Sequence, residues 1–204
     1  MAKQFKGKIS AKSTDISIIL KGLDDDRDKN NKEMNNDTEK LEHMIVASYA
    51  GTGKTTLAKT LPQRFVDFVC MPYKYLLEPN NNCGESCKAN PNNIMQDEWP
   101  YNYVSAISEA LNSDKILLIP TDLYVLALLR EKKIPYFLCY PCRHAKDNYL
   151  GRFLDRGNTT DFIDVFIGRW DNFIDAFEHD SYGKHIVLQP DQFLSDAIGD
   201  FFNI

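Results

Sequence analysis

The chain has 204 residues, of which 43% are hydrophobic and 12% aromatic, and a formal net charge of −5. This composition excludes an intrinsically disordered protein, and the negative charge argues against a protein that coats nucleic acid, so we do not expect a nucleic-acid partner. No apolar run reaches the roughly 18 residues of a membrane span, and no apolar core follows the basic N-terminus, so we expect neither a signal peptide nor a membrane partner. Five cysteines without a secretory signal are typical of a cytoplasmic protein.

The first 40 residues differ in composition from the rest of the chain. Residues 24–40 contain Met34 as their single apolar residue, among charged residues and asparagines. Such a stretch buries too little surface to offset its ordering entropy. We therefore predict a short N-terminal appendage at 1–23, which includes an edge-strand pattern at 16–20, then a flexible acidic, asparagine-rich linker at 24–40, and one main domain at 41–204.

Within the main domain, apolar segments typical of strands alternate with helical patterns. The predicted strands are 43–48, 66–70, 115–119, 134–140 and 185–188, and the predicted helices are 54–60, 101–112, 122–132, 144–156 and 160–177. Strands that alternate with helices indicate right-handed βαβ units and a mostly parallel sheet. Because both faces of a parallel sheet are covered by helices, the sequence predicts an α/β three-layer sandwich with a five-stranded, mostly parallel sheet.

A glycine-rich motif, S-Y-A-G-T-G-K-T-T at 48–56, joins the first predicted strand to the first predicted helix. It matches the phosphate-loop pattern G-x-x-x-x-G-K-[ST], except that Ser48 stands at the first glycine position. Glycines let successive backbone N–H groups turn toward an anion, Lys54 would contact the β and γ phosphates from an exposed position, and Thr55 would bind Mg²⁺. The predicted nucleotide-binding residues are Ala50, Gly51, Thr52, Gly53, Lys54, Thr55 and Thr56.

A second basic element follows the fourth predicted strand. Arg152 and Arg156 are four residues apart on the predicted helix 144–156, away from its apolar face, and Arg169 lies on the next predicted helix. Like charges at this spacing repel unless an anion lies between them, and the planar guanidinium binds phosphate oxygens in pairs. We predict that the three arginines form a helical lid over a triphosphate. The alternative is a pair of ordinary amphipathic helices with solvated arginines.

These segments resemble a known family. The run Y-L-G-R-F-L-D-R-G at 149–157, followed by Ile163 and Arg169, is similar to the lid of P-loop nucleotide kinases, in particular the guanylate kinase group. Residues 48–54 are similar to the phosphate loop of phage deoxynucleoside monophosphate kinases. Residues 71–103 match no nucleotide-binding subdomain of that family.

The resemblance implies a P-loop kinase fold and transfer of the γ-phosphoryl group of ATP, with Mg²⁺, to a small-molecule acceptor, a nucleotide or a nucleoside. Lys54, Arg152, Arg156 and Arg169 would be the catalytic residues. Two alternatives stay open: a P-loop kinase that acts on a protein or nucleic-acid end, and an NTP-binding or NTP-hydrolysing regulatory or assembly module.

The acceptor would lie over the ends of the second and third strands, which is the usual crevice of an open parallel sheet. Tyr73 and Lys74 are candidate contacts to a base and a phosphate, or surface packing. Asp97, at the predicted start of a helix, is either an acceptor contact or a helix N-terminal acid, and Arg143 follows the fourth strand. Residues 78–93 are predicted to form a long flexible loop over the acceptor.

Two acids compete for the magnesium role. Asp122 follows the third strand, but Pro120 and Thr121 intervene, so Asp122 is alternatively the cap of the following helix. Asp67, inside the second strand, is the rival, because a carboxylate in a buried strand needs a partner.

The cysteines leave one further alternative. Cys83 and Cys87, together with Cys139 and Cys142, contain four sulfur ligands that would suit zinc, although the spacing does not match a zinc-stapled kinase lid. We expect ordinary thiols instead, with Cys70 and Cys139 as small core residues at strand ends.

Overall fold

The computed structural model describes residues 45–76 and 94–199. The predicted appendage, the linker and the loop at 78–93 lie outside these residues, as do Cys83 and Cys87. Within the described ranges, no helix has both the length and the apolar character that crossing a bilayer requires.

Five strands form one sheet in which every pair is parallel. They are β1 (Ile45–Ser48), β2 (Phe65–Asp67), β3 (Ile116–Pro120), β4 (Phe137–Pro141) and β5 (Lys184–Leu188). Their spatial order is β2-β3-β1-β4-β5, and Val46 of β1 lies opposite Leu118 of β3 and Phe137 of β4. The prediction of a five-stranded parallel sheet is confirmed. The second strand is shorter than predicted, because it ends at Asp67 and Cys70 already flanks the next helix.

The helices in the described part of the chain are α1 (Lys54–Thr60), α2 (Met71–Lys74), α3 (Tyr101–Ala110), α4 (Leu123–Glu131), α5 (Lys146–Asp155), α6 (Thr160–Phe166), α7 (Trp170–Glu178) and α8 (Leu194–Ala197). A 3₁₀ turn, Arg143–Ala145, precedes α5. The first predicted helix has the observed bounds of α1, and Gly157 follows the end of α5 with a positive φ of 67°, as expected for a terminating glycine. The short helices α2 and α8 were not predicted.

The prediction of one helix over 160–177 is wrong, because the chain breaks between α6 and α7. At Gly168, a Cβ atom would lie 2.3 Å from the carbonyl oxygen of Asp164. Only glycine allows the backbone to turn this closely against the preceding helix. Arg169 follows this turn and flanks the N-terminus of α7.

Helices cover both faces of the sheet, so residues 45–76 and 94–199 form a three-layer α/β sandwich. One core packs α3, α4, α5 and α7 against one face of the strands, with Tyr103, Leu129, Phe153 and Trp170 among its buried residues. The other core packs α1 and α8 against the opposite face. Its buried residues include Val46, Leu57, Leu118, Cys139 and Leu194.

The strand order marks one edge of the sheet as the place where a ligand can bind. From β1 the chain first continues to β2 and β3 on one side, and it later adds β4 and β5 on the other side. In open parallel sheets, the crevice at such a switch point lies beyond the carboxyl ends of the strands. In this chain that crevice begins directly after Ser48, where β1 ends.

Candidate functional site

The segment from Ser48 to Thr55, called the glycine loop below, connects β1 to α1 at this switch point. Ser48 and Thr52 are fully buried, and their hydroxyl oxygens lie 2.6 Å apart in a hydrogen bond. The Thr52 hydroxyl also donates to the carbonyl oxygen of Tyr49 at 2.8 Å. Ser48 therefore does not disturb the loop, because its hydroxyl group ties the base of the loop together.

Both glycines of the loop adopt backbone conformations that other residues rarely adopt. Gly51 has a φ of 79° and Gly53 a φ of 97°. A Cβ atom on Gly51 would lie 2.8 Å from Cε1 of Phe153, which is fully buried in α5. The loop therefore requires glycine at Gly51 both for its backbone angles and for the close approach of α5.

The backbone N–H groups of the loop are the feature that indicates a ligand. The N–H of Tyr49 donates to the carbonyl oxygen of Cys139 at 2.9 Å, and the N–H of Leu57 donates to the carbonyl oxygen of Gly53 at 2.9 Å. Between them, the turn at 50–51 directs the N–H of Thr52 toward Tyr49, and no described residue accepts a hydrogen bond from the N–H groups of Ala50, Gly51, Gly53, Lys54 and Thr55. Backbone N–H groups are strong donors that need partners, and successive N–H groups in such a turn form a concave site for an anion.

Lys54 folds back over the same loop. Its Nζ donates to the carbonyl oxygens of Ser48 at 2.7 Å and of Tyr49 at 3.0 Å. The side chain is half-buried, so the expectation that Lys54 is exposed is wrong. Burial lowers the pKa of Lys54 to about 8, Asp67 opposes this change, and the positive charge of Arg156 adds to it.

The structure distinguishes the two candidate magnesium acids. Thr55 donates its hydroxyl hydrogen to Oδ2 of Asp67 at 2.5 Å, so the carboxylate at the end of β2 lies beside the glycine loop. Asp122 instead accepts from the N–H of Tyr124 at 3.0 Å and caps α4, and its other oxygen pairs with Lys74 at 2.8 Å. The alternative that Asp122 is a helix cap is confirmed. Asp67 is the acid that contacts Thr55.

On the predicted acceptor side, Lys74 and Tyr73 have partners within the protein. Lys74 Nζ lies 5.0 Å from the ring centroid of Trp99, in addition to its ion pair with Asp122. Burial alone would lower the pKa of Lys74, but the hydrogen bond and charge of Asp122 outweigh burial and raise it. The ring of Tyr73 packs 5.2 Å from that of Tyr103. These contacts correspond to the alternative in which Tyr73 and Lys74 pack within the protein, and not to contacts with a base and a phosphate.

Two other predicted substrate contacts lie elsewhere. Asp97 is exposed in a turn, and α3 begins only at Tyr101, so the prediction that Asp97 starts a helix is wrong. Arg143 donates to Asp175 and Glu178, both at 2.6 Å, on the surface of α7. These carboxylates already occupy the Arg143 guanidinium.

The three predicted lid arginines differ in their surroundings. Arg152 is half-buried and donates to backbone carbonyl groups, including that of Gly51 in the glycine loop at 3.4 Å. The side chain of Arg156 is exposed and makes no hydrogen bond or ion pair with another described residue, while its charge lowers the pKa of Lys54. Arg169 is exposed at the α6–α7 junction. Of the three, only Arg156 combines a side chain without a described partner with an electrostatic effect on the loop.

Sequence reasoning missed Tyr49, which fixes the loop to the helices. Its side chain is fully buried, and its hydroxyl group donates to the carbonyl oxygen of Phe166 at 2.6 Å. Its ring contacts the rings of Tyr149, Phe166, Trp170, Phe173 and Phe177. Tyr49 lies at a position that the phosphate-loop pattern leaves open, so the motif gave no signal. The sequence shows the aromatic stripe of residues 162–177, but it does not show that this stripe packs on Tyr49.

The described cysteines are free thiols: Cys139 is buried in the core as predicted, whereas Cys70 is only partly buried and flanks α2 instead of ending a strand. Burial raises the pKa of the Cys139 thiol to about 12. Cys142 lies near His144, with Sγ and Nε2 3.4 Å apart. Within 45–76 and 94–199, no three metal-ligating side chains come together.

No protein-family model, curated protein or solved structure matches this chain. The chemistry around the glycine loop therefore supplies the basis for a functional proposal.

Proposed function

We propose that this chain is an ATP-dependent phosphotransferase that transfers the γ-phosphoryl group of Mg·ATP to a small acceptor, a nucleotide or a nucleoside. The observation that carries the proposal is the glycine loop at the carboxyl end of β1. Its N–H groups at Ala50, Gly51, Gly53, Lys54 and Thr55 have no described acceptor, and they lie beside the Lys54 ammonium group and the Thr55 hydroxyl group. N–H groups, a lysine and a hydroxyl in this sequence pattern suit a nucleoside triphosphate.

The donor phosphates would take the place of contacts that the loop now makes with itself. Lys54 donates to the carbonyl oxygens of Ser48 and Tyr49, and phosphate oxygens are stronger acceptors because they carry charge. Lys54 would therefore turn from the loop toward the β and γ phosphates. The phosphate charge would also favour the protonated lysine, whose pKa burial lowers to about 8.

The donor set beside the loop fits Mg²⁺. Thr55 Oγ1 and Asp67 Oδ2 are hard oxygen atoms that are 2.5 Å apart, and Mg²⁺ is typically held by one or two such protein groups together with phosphate oxygens. When bound, Mg²⁺ would neutralise charge on the transferring phosphoryl group. Asp67 and Thr55 would hold it, with Asp122 committed to Lys74 and to capping α4.

Arginine charge would supply the remaining stabilisation. Charge on the phosphoryl oxygens changes during transfer, and fixed cations around it lower the barrier. Arg156 is the candidate whose charge already acts at Lys54. Arg169 stays a predicted contact. The acceptor would approach over the ends of β2 and β3, next to the Lys74–Asp122 pair and Trp99.

The test is to incubate the full chain with Mg·ATP and a panel of nucleosides and nucleoside monophosphates and to identify products by mass spectrometry. We expect one acceptor class to gain a phosphoryl group. Lys54→Ala should abolish transfer, whereas Lys132→Ala, at an exposed lysine that flanks the end of α4, should retain it. Mg·ATP should raise the melting temperature of the wild type more than that of Lys54→Ala, because a ligand stabilises only the state that it binds.

Two results would contradict the proposal in different ways. A Lys54-dependent rise in melting temperature without any phosphorylated acceptor would indicate an NTP-binding module instead of a transferase. The absence of both the stabilisation and the product would remove the phosphate site itself.

A further inference from the structure

We infer that Arg152 is a positioning residue: it holds the glycine loop against the segment between β5 and α8, and it does not contact the transferring phosphate. Its consequence for ATP rests on the proposed function, but the contacts themselves do not. The segment concerned, Gln189–Phe193, is called the β5–α8 loop below.

The guanidinium of Arg152 is already bound by carbonyl oxygens from two parts of the chain. Nη2 donates to Pro190 at 2.8 Å and to Gln192 at 3.0 Å, and Nη1 donates to Gly51 at 3.4 Å. Two of these acceptors belong to the β5–α8 loop and one belongs to the glycine loop. One side chain from α5 therefore joins the two loops.

Aromatic rings hold the same guanidinium in place. Its central carbon lies 4.0 Å from the ring centroid of Phe193 and 4.6 Å from that of Tyr149. A cation at these distances from a ring face is attracted to it, and a planar guanidinium can also stack. Contacts to both rings fix the orientation of Arg152.

The β5–α8 loop and the first residue of α8 also contact the glycine loop directly. The N–H of Leu194 donates to the carbonyl oxygen of Thr52 at 2.8 Å. A Cβ atom on Gly53 would lie 3.4 Å from Cδ1 of Phe193, so this ring packs on the second glycine of the loop. Arg152 thus connects α5 and the β5–α8 loop to the glycine loop, whose backbone would bind phosphate. We call these contacts of Arg152 the brace.

Arginine is the residue that this geometry requires. Its planar fork presents several N–H groups in fixed directions, whereas a lysine has one compact ammonium group. To reach a phosphate, Arg152 would have to give up its carbonyl partners and its place beside Phe193. The side chain of Arg156, one turn later, has no hydrogen-bonding partner among the described residues and therefore no such contacts to lose.

The two arginines should therefore affect different steps. Loss of Arg152 should make the glycine loop less ordered. The loop would then bind Mg·ATP more weakly, and by the same amount in the ground state as in the transition state. Such a uniform loss raises KM and leaves kcat nearly unchanged. Loss of Arg156 should lower kcat, because it would remove charge stabilisation that matters most during transfer.

The experiment compares Arg152→Ala, Arg152→Lys, Phe193→Leu, Arg156→Ala and Arg156→Lys in the full chain. We expect both Arg152 variants to bind Mg·ATP about 10-fold or more weakly by calorimetry, with kcat within about 3-fold of wild type. Lysine should not rescue position 152, because the contacts need the fork. Phe193→Leu, at a half-exposed ring, should weaken binding in the same direction without unfolding the chain. Arg156→Lys should recover part of the activity lost in Arg156→Ala.

Hydrogen exchange tests the brace without ATP. The amide of Leu194 should exchange about 10-fold faster in both Arg152 variants, whereas that of Leu126, which donates to Asp122 in α4, should not change. Unchanged exchange at Leu194 would overturn the inference whatever the protein binds. If Arg152→Lys restored function, or if kcat fell while ATP affinity stayed unchanged, the inference would also be overturned. Either result would indicate that Arg152 contacts the phosphate. If the Leu194 amide exchanged faster in the Arg152 variants but the protein bound no Mg·ATP, the contacts of Arg152 would be supported. Only the proposed function would then be contradicted.

Discussion

Replacing Gly51 with alanine tests whether α5 packs on the glycine loop as closely as the structure indicates. The matched control is Gly157→Ala. Both glycines have positive φ, 79° and 67°, but a Cβ on Gly51 would meet Phe153 at 2.8 Å, whereas a Cβ on Gly157 would meet nothing within 4 Å. The control therefore contains the backbone strain alone, and Gly51→Ala adds a steric clash.

The expected magnitudes follow from these two terms. Placing a Cβ in the left-handed region costs about 1–2 kcal/mol, which is the expected loss of unfolding free energy for Gly157→Ala. Overpacking of a core costs about 1–3 kcal/mol more, and the Phe153 ring cannot move freely, because Phe162 lies 5.1 Å from it and Tyr149 6.1 Å. Gly51→Ala should thus lose about 2–5 kcal/mol in total.

Urea unfolding followed by circular dichroism measures both losses on the same scale. Adding Phe153→Leu to Gly51→Ala should recover part of the added loss, since the two sites contact each other and their effects should not be additive. Equal losses for Gly51→Ala and Gly157→Ala would refute the close packing of α5 on the loop.

Two further predictions concern ionisable groups. Because burial lowers the pKa of Lys54 to about 8, a fraction of this lysine is neutral at pH 8.5, and binding of Mg·ATP should take up protons there. Calorimetry in buffers of different ionisation enthalpy should detect this uptake in the wild type and not in Lys54→Ala. Asp180 is buried; burial alone would raise its pKa, but hydrogen bonds from Tyr136 and two backbone N–H groups, with the Arg130 charge, lower the pKa below its ordinary value. Its stabilisation is therefore present above the unfolded-state pKa and is lost as pH falls through the folded-state value, so Asp180→Asn should cost about 1–3 kcal/mol at pH 7. The difference in unfolding free energy between Asp180→Asn and wild type, measured by urea unfolding, should become smaller as the pH falls toward 3. A difference that stays constant would contradict this reasoning.

Much of the fold could be predicted because its signals are local. Apolar runs located all five strands to within a few residues, and the transition from strand through glycines to Lys54 gave the bounds of α1. The break between α6 and α7 could not be predicted in this way. The apolar stripe continues across both helices, and the break depends on how closely the backbone at Gly168 approaches the Asp164 carbonyl oxygen.

The site was only partly predictable, since its contacts join distant parts of the chain. Asp67 lies beside Thr55 because β2 and α1 bring them together, and no spacing rule distinguishes it from Asp122. Arg152 was correctly placed on the helix, but two of its three acceptors lie some 40 residues further along the chain, at Pro190 and Gln192. A pattern shows which side chains share a face, whereas the tertiary fold decides which partners they meet.

The central claim, that the N–H groups of the glycine loop bind phosphate, can be measured at those groups. In ¹H–¹⁵N spectra of the full chain, Mg·ATP should shift the amide protons of Gly51, Gly53 and Lys54 strongly downfield, because each would donate to a charged oxygen. The amide of Gly183, which donates to Asp180 outside the loop, should not move. Shifts confined to residues outside 48–56, or no shift at millimolar Mg·ATP, would contradict the account.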